Sequence, residues 1–337
     1  LGVATVLSCT VFAAISGSSV ATALTIGTSA IPQMQRYGYP KRASYGVVAA
    51  GGTLGILIPP SGPMVLYCIV SNTSIGAMFM GGILPGLLVA ILFSAYCVIR
   101  SSHDTTQVRL QRASWSEISN VMRRAVWPLL LPPLILGGMY FGVFTATEAA
   151  GAGAIAAIFI STVIYRSLTW HDLYDAAKET VRTTSMLFMI LIGAAMFSHV
   201  LTILRLPAML VESVTGMGVG PIAFILIIMA VIVILGMFLE TIAIILITTP
   251  ILLPAIETLG IDPVWYGVML MINLELALIT PPVGMNLFVI KGIAEAPIYE
   301  VIRGAMPYAL LMLIGLFTVL IWPELVLWLP RSMNYGL

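Results

Sequence analysis

The stretch that decides the fold is Gly51-Gly-Thr-Leu-Gly-Ile-Leu-Ile-Pro-Pro-Ser61, which has a counterpart in Asn273-Leu-Glu-Leu-Ala-Leu-Ile-Thr-Pro-Pro-Val-Gly284. In both, a long apolar run ends at two adjacent prolines, and a glycine follows two residues later. Proline donates no backbone hydrogen bond, and its ring clashes with the carbonyl of the preceding turn. Each stretch therefore predicts an apolar helix that breaks midway and frees backbone carbonyls and amides.

The two stretches belong to an internal repeat. The first proline pair precedes the second by 222 positions, and the same spacing aligns other prolines and glycines without a gap: Pro32 with Pro254, Gly38 with Gly260, Gly82 with Gly304 and Pro85 with Pro307. One proline pair alone would favour a simple kink in a packed helix, but two at matched positions favour functional breaks. Repeats of this kind are typical of secondary transporters.

The charges indicate that the repeat is inverted. Loop 33–42 carries three basic residues, whereas the matching loop 255–263 carries two acidic residues and no base. Lys and Arg accumulate in cytoplasmic loops. The first loop is therefore predicted inside and the second outside, and the odd number of predicted crossings between them agrees.

The composition excludes a soluble protein. Hydrophobic residues make up 60% of the 337 residues and charged residues 9%, with a mean hydropathy of +1.06, whereas soluble domains carry about 25% charged residues. The apolar runs rarely alternate with polar residues, so the bilayer is predicted to be crossed by helices and not by a β-barrel. A net charge of +1 gives no reason to expect a nucleic-acid partner.

The sequence predicts an all-α integral membrane protein with two re-entrant hairpins and two broken helices. The hairpins are predicted over residues 3–31 and 223–253, and the broken helices over residues 44–72 and 266–291. An amphipathic helix is predicted along the interface at residues 170–182. The remaining crossings are predicted at residues 77–99, 126–144, 149–165, 184–204 and 299–321.

These elements group into four regions. Residues 1–99 form the first repeat, 100–125 a cytoplasmic loop, 126–219 scaffold helices with the amphipathic arm, and 220–337 the second, inverted repeat with the C-terminal helix. Extending the spacing backwards predicts about 95 further residues before Leu1 in a parent chain.

Polar atoms concentrate at the hairpin tips. Ser16, Ser18, Ser19 and Thr22 lie at the first tip, and Glu240 and Thr241 lie near the second, at the positions equivalent to Ser18 and Ser19. Serines in membrane helices often only bond to their own backbone or support helix packing. A cluster at a tip favours contact with a ligand or ion instead.

Two carboxylates, Glu240 and Glu275, lie well inside apolar runs. Ionisable groups there are costly and by default indicate function, although a structural carboxylate capping a half-helix is the alternative for both. Glu148 follows Thr145 at a predicted helix start, where N-terminal capping explains it.

Other chemistry has no support in the sequence. The three cysteines have unrelated spacings, and the chain contains no P-loop, no zinc-protease motif and no nucleophile elbow.

The two proline stretches, together with Gly137-Gly-Met-Tyr-Phe-Gly-Val-Phe-Thr-Ala-Thr-Glu-Ala-Ala150, resemble the large membrane subunit of TRAP transporters (tripartite ATP-independent periplasmic transporters). The resemblance runs in order along essentially the whole chain. It implies the fold of the ion transporter superfamily, an elevator mechanism driven by a sodium gradient, and a place in the bacterial or archaeal inner membrane. It also implies three partners: a small four-helix membrane subunit, a periplasmic substrate-binding protein and an organic anion.

The resemblance also implies which residues bind sodium ions and substrate. One sodium ion would be bound by Ser18, Ser19 and the backbone around Pro59 and Ser61. A second would be bound by Glu240, Thr241 and the backbone around Thr280 and Val283. Substrate would lie between the two tips, near these residues: Ser16, Gly17, Ser61, Gly62, Gly284 and Asn286.

Several functions stay open at this stage. The first is a sodium-coupled permease subunit importing an organic acid such as a C4-dicarboxylate, and the second is a stand-alone anion symporter without a binding protein. An intramembrane enzyme would use Glu240 or Glu275 as acid or base, but the chain offers no paired catalytic motif, so no enzymatic activity is predicted. A channel or a purely structural subunit is a further alternative.

Overall fold

The computed structural model describes residues 1–103, 114–218 and 220–333, and the regular elements in these ranges are helices. The chain divides into two compact units, one from the described parts of residues 1–110 and 210–337 and the other from residues 111–209. The predicted all-α class is therefore confirmed.

The first repeat contains five helices. Hairpin 1 consists of the first two, and a break at residues 58–61 separates the third from the fourth. Their bounds are α1 Gly2–Ser16, α2 Ser19–Arg36, α3 Lys41–Leu57, α4 Gly62–Ser71 and α5 Ile75–His103.

The middle of the chain differs in detail from the prediction. Its helices are α6 Trp115–Leu129, α7 Leu131–Tyr140, α8 Ala146–Phe159 (extended by a π-helical turn, Ile160–Ile164), α9 Trp170–Ile203 and α10 Leu206–Gly216. Helix α6 begins inside the segment predicted as a loop, because Ser114 and Glu117 form a capping box there. Residues 100–103 of that loop belong to α5, and residues 104–113 lie outside the described residues. The predicted capping of α8 by Thr145 and Glu148 is present.

Two predicted boundaries in this region were wrong. The crossing at residues 126–144 is divided between α6 and α7, because prolines at positions 128, 132 and 133 interrupt it. The interfacial helix and the next crossing form one 34-residue helix, α9, since no proline or glycine lies between residues 171 and 192.

The second repeat follows the bounds of the first. Its helices, α11 Pro221–Gly236, α12 Thr241–Thr258, α13 Pro263–Leu278, α14 Met285–Ala294 and α15 Ile298–Ile321, are followed by α16 Glu324–Ser332. Hairpin 2 consists of α11 and α12, and the second break covers residues 279–284. Shifting α1 to α5 by 222 positions reproduces α11 to α15 to within a few residues, apart from the C-terminal end of α5. The opposite orientation of the repeats in the membrane stays a prediction.

The two helices before the breaks form the centre of their unit. Every residue of α3 from Ala43 to Leu57 is buried, and so is every residue of α13 from Tyr266 to Leu278. A helix that is apolar all round is surrounded by protein. Hairpin 1 packs on α3 of its own repeat, and hairpin 2 packs on α13 of its own repeat. Each hairpin also contacts the half-helix that follows the break in the other repeat: α2 contacts α14, and α12 contacts α4.

Six helical segments in the described residues are long and apolar enough to cross a bilayer. They are Lys41–Ser71, Ile75–Ser101, Ala146–Ile164, Trp170–Ile203, Thr241–Thr258 and Ile298–Ile321.

Candidate functional site

The tip of hairpin 1 is held by its own hydroxyls. Gly17 ends α1 in a left-handed conformation with φ +61°. Ser18 caps α2 and accepts a hydrogen bond from the amide of Ala21 at 3.4 Å. The Ser16 and Thr22 hydroxyls lie 3.0 Å apart, within hydrogen-bonding distance. The serine cluster therefore shapes the tip, and Ser18 marks the positive end of α2.

This tip lies directly against the first break and helix α3. A Cβ added to Gly17 would stand 2.7 Å from the carbonyl oxygen of Pro60. A Cβ added to Gly55 would stand 2.5 Å from the carbonyl group of Ser18. The structure thus brings together the tip and the break that were predicted to form one cation site.

Hairpin 2 has the equivalent cap but a different residue. Glu240 caps α12 and accepts from the amides of Ile242 at 3.0 Å and Ala243 at 3.3 Å. Glu240 is exposed, whereas Thr241 beside it is buried. Glu240 stands 222 positions after Ser18, so both tips are closed by side-chain caps at equivalent positions.

The second break departs from regular helix in a similar way. The Thr280 hydroxyl donates to the carbonyl of Leu276 at 2.6 Å, and Gly284 adopts φ +52°. Both breaks contain a cis bond between their two prolines. Among the described residues, no hydrogen bond joins Glu240 or Thr241 to residues 280–283, and none joins Ser18 or Ser19 to residues 59–61.

One hydrogen bond between the repeats was not among the predicted pairs. The Ser19 hydroxyl at the start of α2 donates to Oε1 of Glu275, in the last turn of α13 before the second break. Glu275 is 0% exposed. The sequence marked both residues as polar groups in apolar surroundings, but nothing in it paired side chains 256 positions apart.

Asn286 also reaches hairpin 1 from the second repeat. Its Nδ2 lies 3.2 Å from the position that a Cβ on Gly52 would take, and so does the carbonyl oxygen of Ser19. The same Nδ2 is 3.5 Å from the carbonyl of Ala49, to which it donates. Asn286 and Ser19 therefore both lie against the face of α3 at Gly52.

Three buried oxygens around hairpin 1 lack a hydrogen-bond partner in the part of the chain that the structure describes. They are Ser61 Oγ, Glu275 Oε2 and Asn286 Oδ1. Buried polar atoms are ordinarily satisfied, so these three oxygens are available to bind a ligand. Hydroxyl, carboxylate and amide oxygens are hard donors suited to a small cation, and these residues therefore fit a sodium ion.

Comparisons with known proteins agree with this architecture. The family model described as "Tripartite ATP-independent periplasmic transporter, DctM component" matches residues 1–325. The C4-dicarboxylate TRAP transporter large permease protein DctM of Pseudomonas aeruginosa is 41% identical over 98% of this chain and 77% of its own length. The ectoine/5-hydroxyectoine large permease protein UehC of Ruegeria pomeroyi is 36% identical over the same shares.

A solved structure gives the same fold. The crystal structure of the YdaH transporter of Alcanivorax borkumensis superimposes with a TM-score of 0.70 at 16% identity, covering 96% of this chain and 81% of that chain. The curated relatives are named as transporter permeases and not as enzymes, and the chain is a multi-pass inner-membrane protein. Because both the family model and the relatives extend over nearly its whole length, the chain belongs to the DctM family of TRAP transporter large permeases.

Proposed function

We propose that this chain is the permease subunit of a sodium-coupled, binding-protein-dependent importer of an organic acid, with a C4-dicarboxylate as the first candidate. The observation that carries the proposal is the set of unpartnered buried oxygens, among the described residues, where hairpin 1 meets the first break and the second repeat. Buried polar atoms are ordinarily paired; of the six unpartnered buried side-chain oxygens among the described residues, three lie here and the other three lie in α12 and α13. A site that is filled and emptied during transport requires them.

The first sodium ion would be held by Ser18, Ser19 and the backbone at Pro59 and Ser61. Gly17 and Gly55 allow the tip to approach the break closely. A bound sodium ion would supply positive charge there. The protein's own contribution is to fix the oxygens in place before the ion arrives, so that little reorganisation is needed on binding.

The second sodium ion would be held by Glu240, Thr241 and the backbone at Thr280 and Val283. Hairpin 2 and the second break occupy positions equivalent to the first pair in the other repeat. Glu240 would contribute a negative charge that hairpin 1 lacks at the equivalent cap, Ser18.

The substrate anion would lie between the tips, near Ser16, Gly17, Ser61, Gly62, Gly284 and Asn286. Helix N-termini attract anions, and broken helices in transporters direct such ends at substrate carboxylates. Helices α4 and α14 begin immediately after the two breaks and would serve this purpose.

The unit containing both hairpins would move as an elevator, carrying ions and substrate together. Its partners would be a periplasmic substrate-binding protein and a small four-helix membrane subunit. The isethionate permease DctMQ of Oleidesulfovibrio alaskensis, 38% identical over 93% of this chain, supports a close association with a second membrane component through its combined name. Relatives named for C4-dicarboxylates, ectoine and sialic acid leave the choice of substrate to experiment.

Uptake of labelled succinate into proteoliposomes containing the full-length protein and its small subunit tests the proposal. Four conditions are compared, with and without an inward sodium gradient and with and without the cognate binding protein. Uptake that needs both supports a tripartite symporter. Uptake without the binding protein would favour the stand-alone symporter, and uptake that is indifferent to sodium would overturn the coupling.

A further inference from the structure

Glu275 is a buried carboxyl group without a compensating charge. It lies in the last turn of α13, just before the second break, and is 0% exposed. Its Oε1 accepts from Ser19, but its Oε2 has no partner among the described residues. The ion pairs in the described part of the chain, His171–Asp175 and Glu324–Arg331, lie elsewhere. A carboxyl group buried in this way either takes up a proton or stays charged beside a positive partner.

Ser19 links Glu275 to further oxygen donors. Ser19 contributes a hydroxyl that already contacts the carboxylate. Its carbonyl and the Asn286 side chain both approach the face of α3 at Gly52, and Asn286 Oδ1 is also unpartnered within the described ranges. The surrounding groups are thus hard oxygen donors, and the one formal charge among these three residues is negative.

The position of Glu275 is not reproduced in the other repeat. Its equivalent, 222 positions earlier, is Thr53, whose hydroxyl donates to the carbonyl of Ala50 in its own helix. Conversely, hairpin 2 has Glu240 where hairpin 1 has Ser18. Each hairpin therefore has a carboxylate nearby, and both carboxylates come from the second repeat. For hairpin 1 the carboxylate is supplied across the repeat boundary.

We propose that Glu275 is an anionic ligand of the cation bound at hairpin 1, which makes this site a composite of both repeats. Ser19 would keep its hydrogen bond to Oε1 of Glu275 and direct an oxygen lone pair at the ion, while Oε2 would supply the negative charge. The loaded site would then be neutral, and cation binding would hold α2 against α13. This inference rests on the proposed sodium coupling and adds to it a residue and a link between the repeats.

The test is the substitution Glu275→Gln, which keeps the shape and an acceptor for Ser19 but removes the charge. The first measurement is the melting temperature of the purified full-length protein in detergent, without substrate, as sodium chloride replaces choline chloride. We expect sodium to raise the melting temperature of the wild type with a defined midpoint. In Glu275→Gln the midpoint should move at least about tenfold higher or the stabilisation should disappear.

The matched control is Thr53→Ser at the equivalent position, which should keep the wild-type sodium midpoint. If Glu275→Gln does not fold, as judged by gel filtration, then Glu275→Asp replaces it. That variant retains the charge on a shorter side chain and should weaken sodium binding severalfold. Sodium-dependent uptake provides a second readout, in which the sodium midpoint rises and the KM for substrate at saturating sodium is unchanged.

The outcomes separate this inference from the proposed function. In one outcome, sodium raises the melting temperature of the wild type and drives its uptake, but the folded Glu275 variant has the same sodium midpoint. The role of Glu275 is then overturned, and sodium coupling stands. If sodium neither stabilises the wild type nor drives its uptake, sodium coupling fails and the inference fails with it.

Discussion

Replacing Gly55 by alanine should push hairpin 1 away from the first break. The new methyl group would stand 2.5 Å from the carbonyl carbon and oxygen of Ser18 and 2.7 Å from the amide nitrogen of Ser19. Carbon atoms in contact prefer separations of about 3.5–4.0 Å, so the tip must retreat by about 1 Å. These atoms belong to the backbone and cannot rotate away.

The magnitude follows from that displacement. Overpacking a core costs about 1–3 kcal/mol, and the helix-propensity gain of alanine over glycine returns about 0.5–1 kcal/mol. If about 1.4 kcal/mol of this net destabilisation applies only to the sodium-bound conformation of the tip, sodium affinity drops about tenfold. We expect a lower melting temperature in choline chloride and a sodium midpoint raised about tenfold.

The control is Gly292→Ala in α14, where an added Cβ meets no atom within 4 Å. That variant should match the wild type or be slightly more stable, because alanine favours the helix. The two variants are compared in the same sodium titration of melting temperature. A Gly55→Ala protein whose stability and sodium midpoint equal those of Gly292→Ala would refute the close packing of tip on α3.

Three further substitutions test other parts of the structure. Gly46→Ala places a Cβ against the carbonyl oxygen of Gly304, so α3 and α15 must separate. Thermal unfolding should show a destabilisation of about 3 kcal/mol, and an unchanged melting temperature would contradict the close packing of α3 on α15. Tyr67→Phe removes a 2.7 Å hydrogen bond to the carbonyl of Pro263 and should cost about 1 kcal/mol in the free energy of unfolding, whereas a stabilised variant would argue against this contact between the repeats. Glu240→Ala removes the cap of α12 and should cost about 1 kcal/mol while also weakening sodium dependence of uptake; unchanged values of both would exclude a role at the second site.

The breaks could be predicted because their cause is local. Two adjacent prolines remove two successive amide hydrogens, and helices end at the pairs 59–60 and 281–282, whereas single prolines such as Pro32 and Pro307 lie inside continuous helices. The hairpin tips could be predicted for a similar reason, since residues able to cap a helix follow each apolar run. The extent of α9 was not predicted. A change from polar to apolar composition does not interrupt the backbone hydrogen bonds of a helix, whereas a proline or glycine can.

The candidate site could be predicted only in part. Ser18, Ser19 and the first break were expected together and lie together. Glu275 was recognised as a costly buried group, but its partner was not. The repeat spacing relates Glu275 to Thr53, which is its equivalent and not its contact, so periodicity alone cannot reveal the bond to Ser19.

The sequence by itself determined the membrane environment, the repeat of 222 positions and the places where helices break, since these depend on composition and on the local chemistry of proline and glycine. The tertiary structure decided which helices of the two repeats contact each other. Hairpin 1 contacts α14 and Glu275, and α12 of hairpin 2 contacts α4. The reason is physical: each hairpin buries its apolar faces against helices of both repeats, and the contacts that result join residues far apart in the chain that are not equivalent within the repeat.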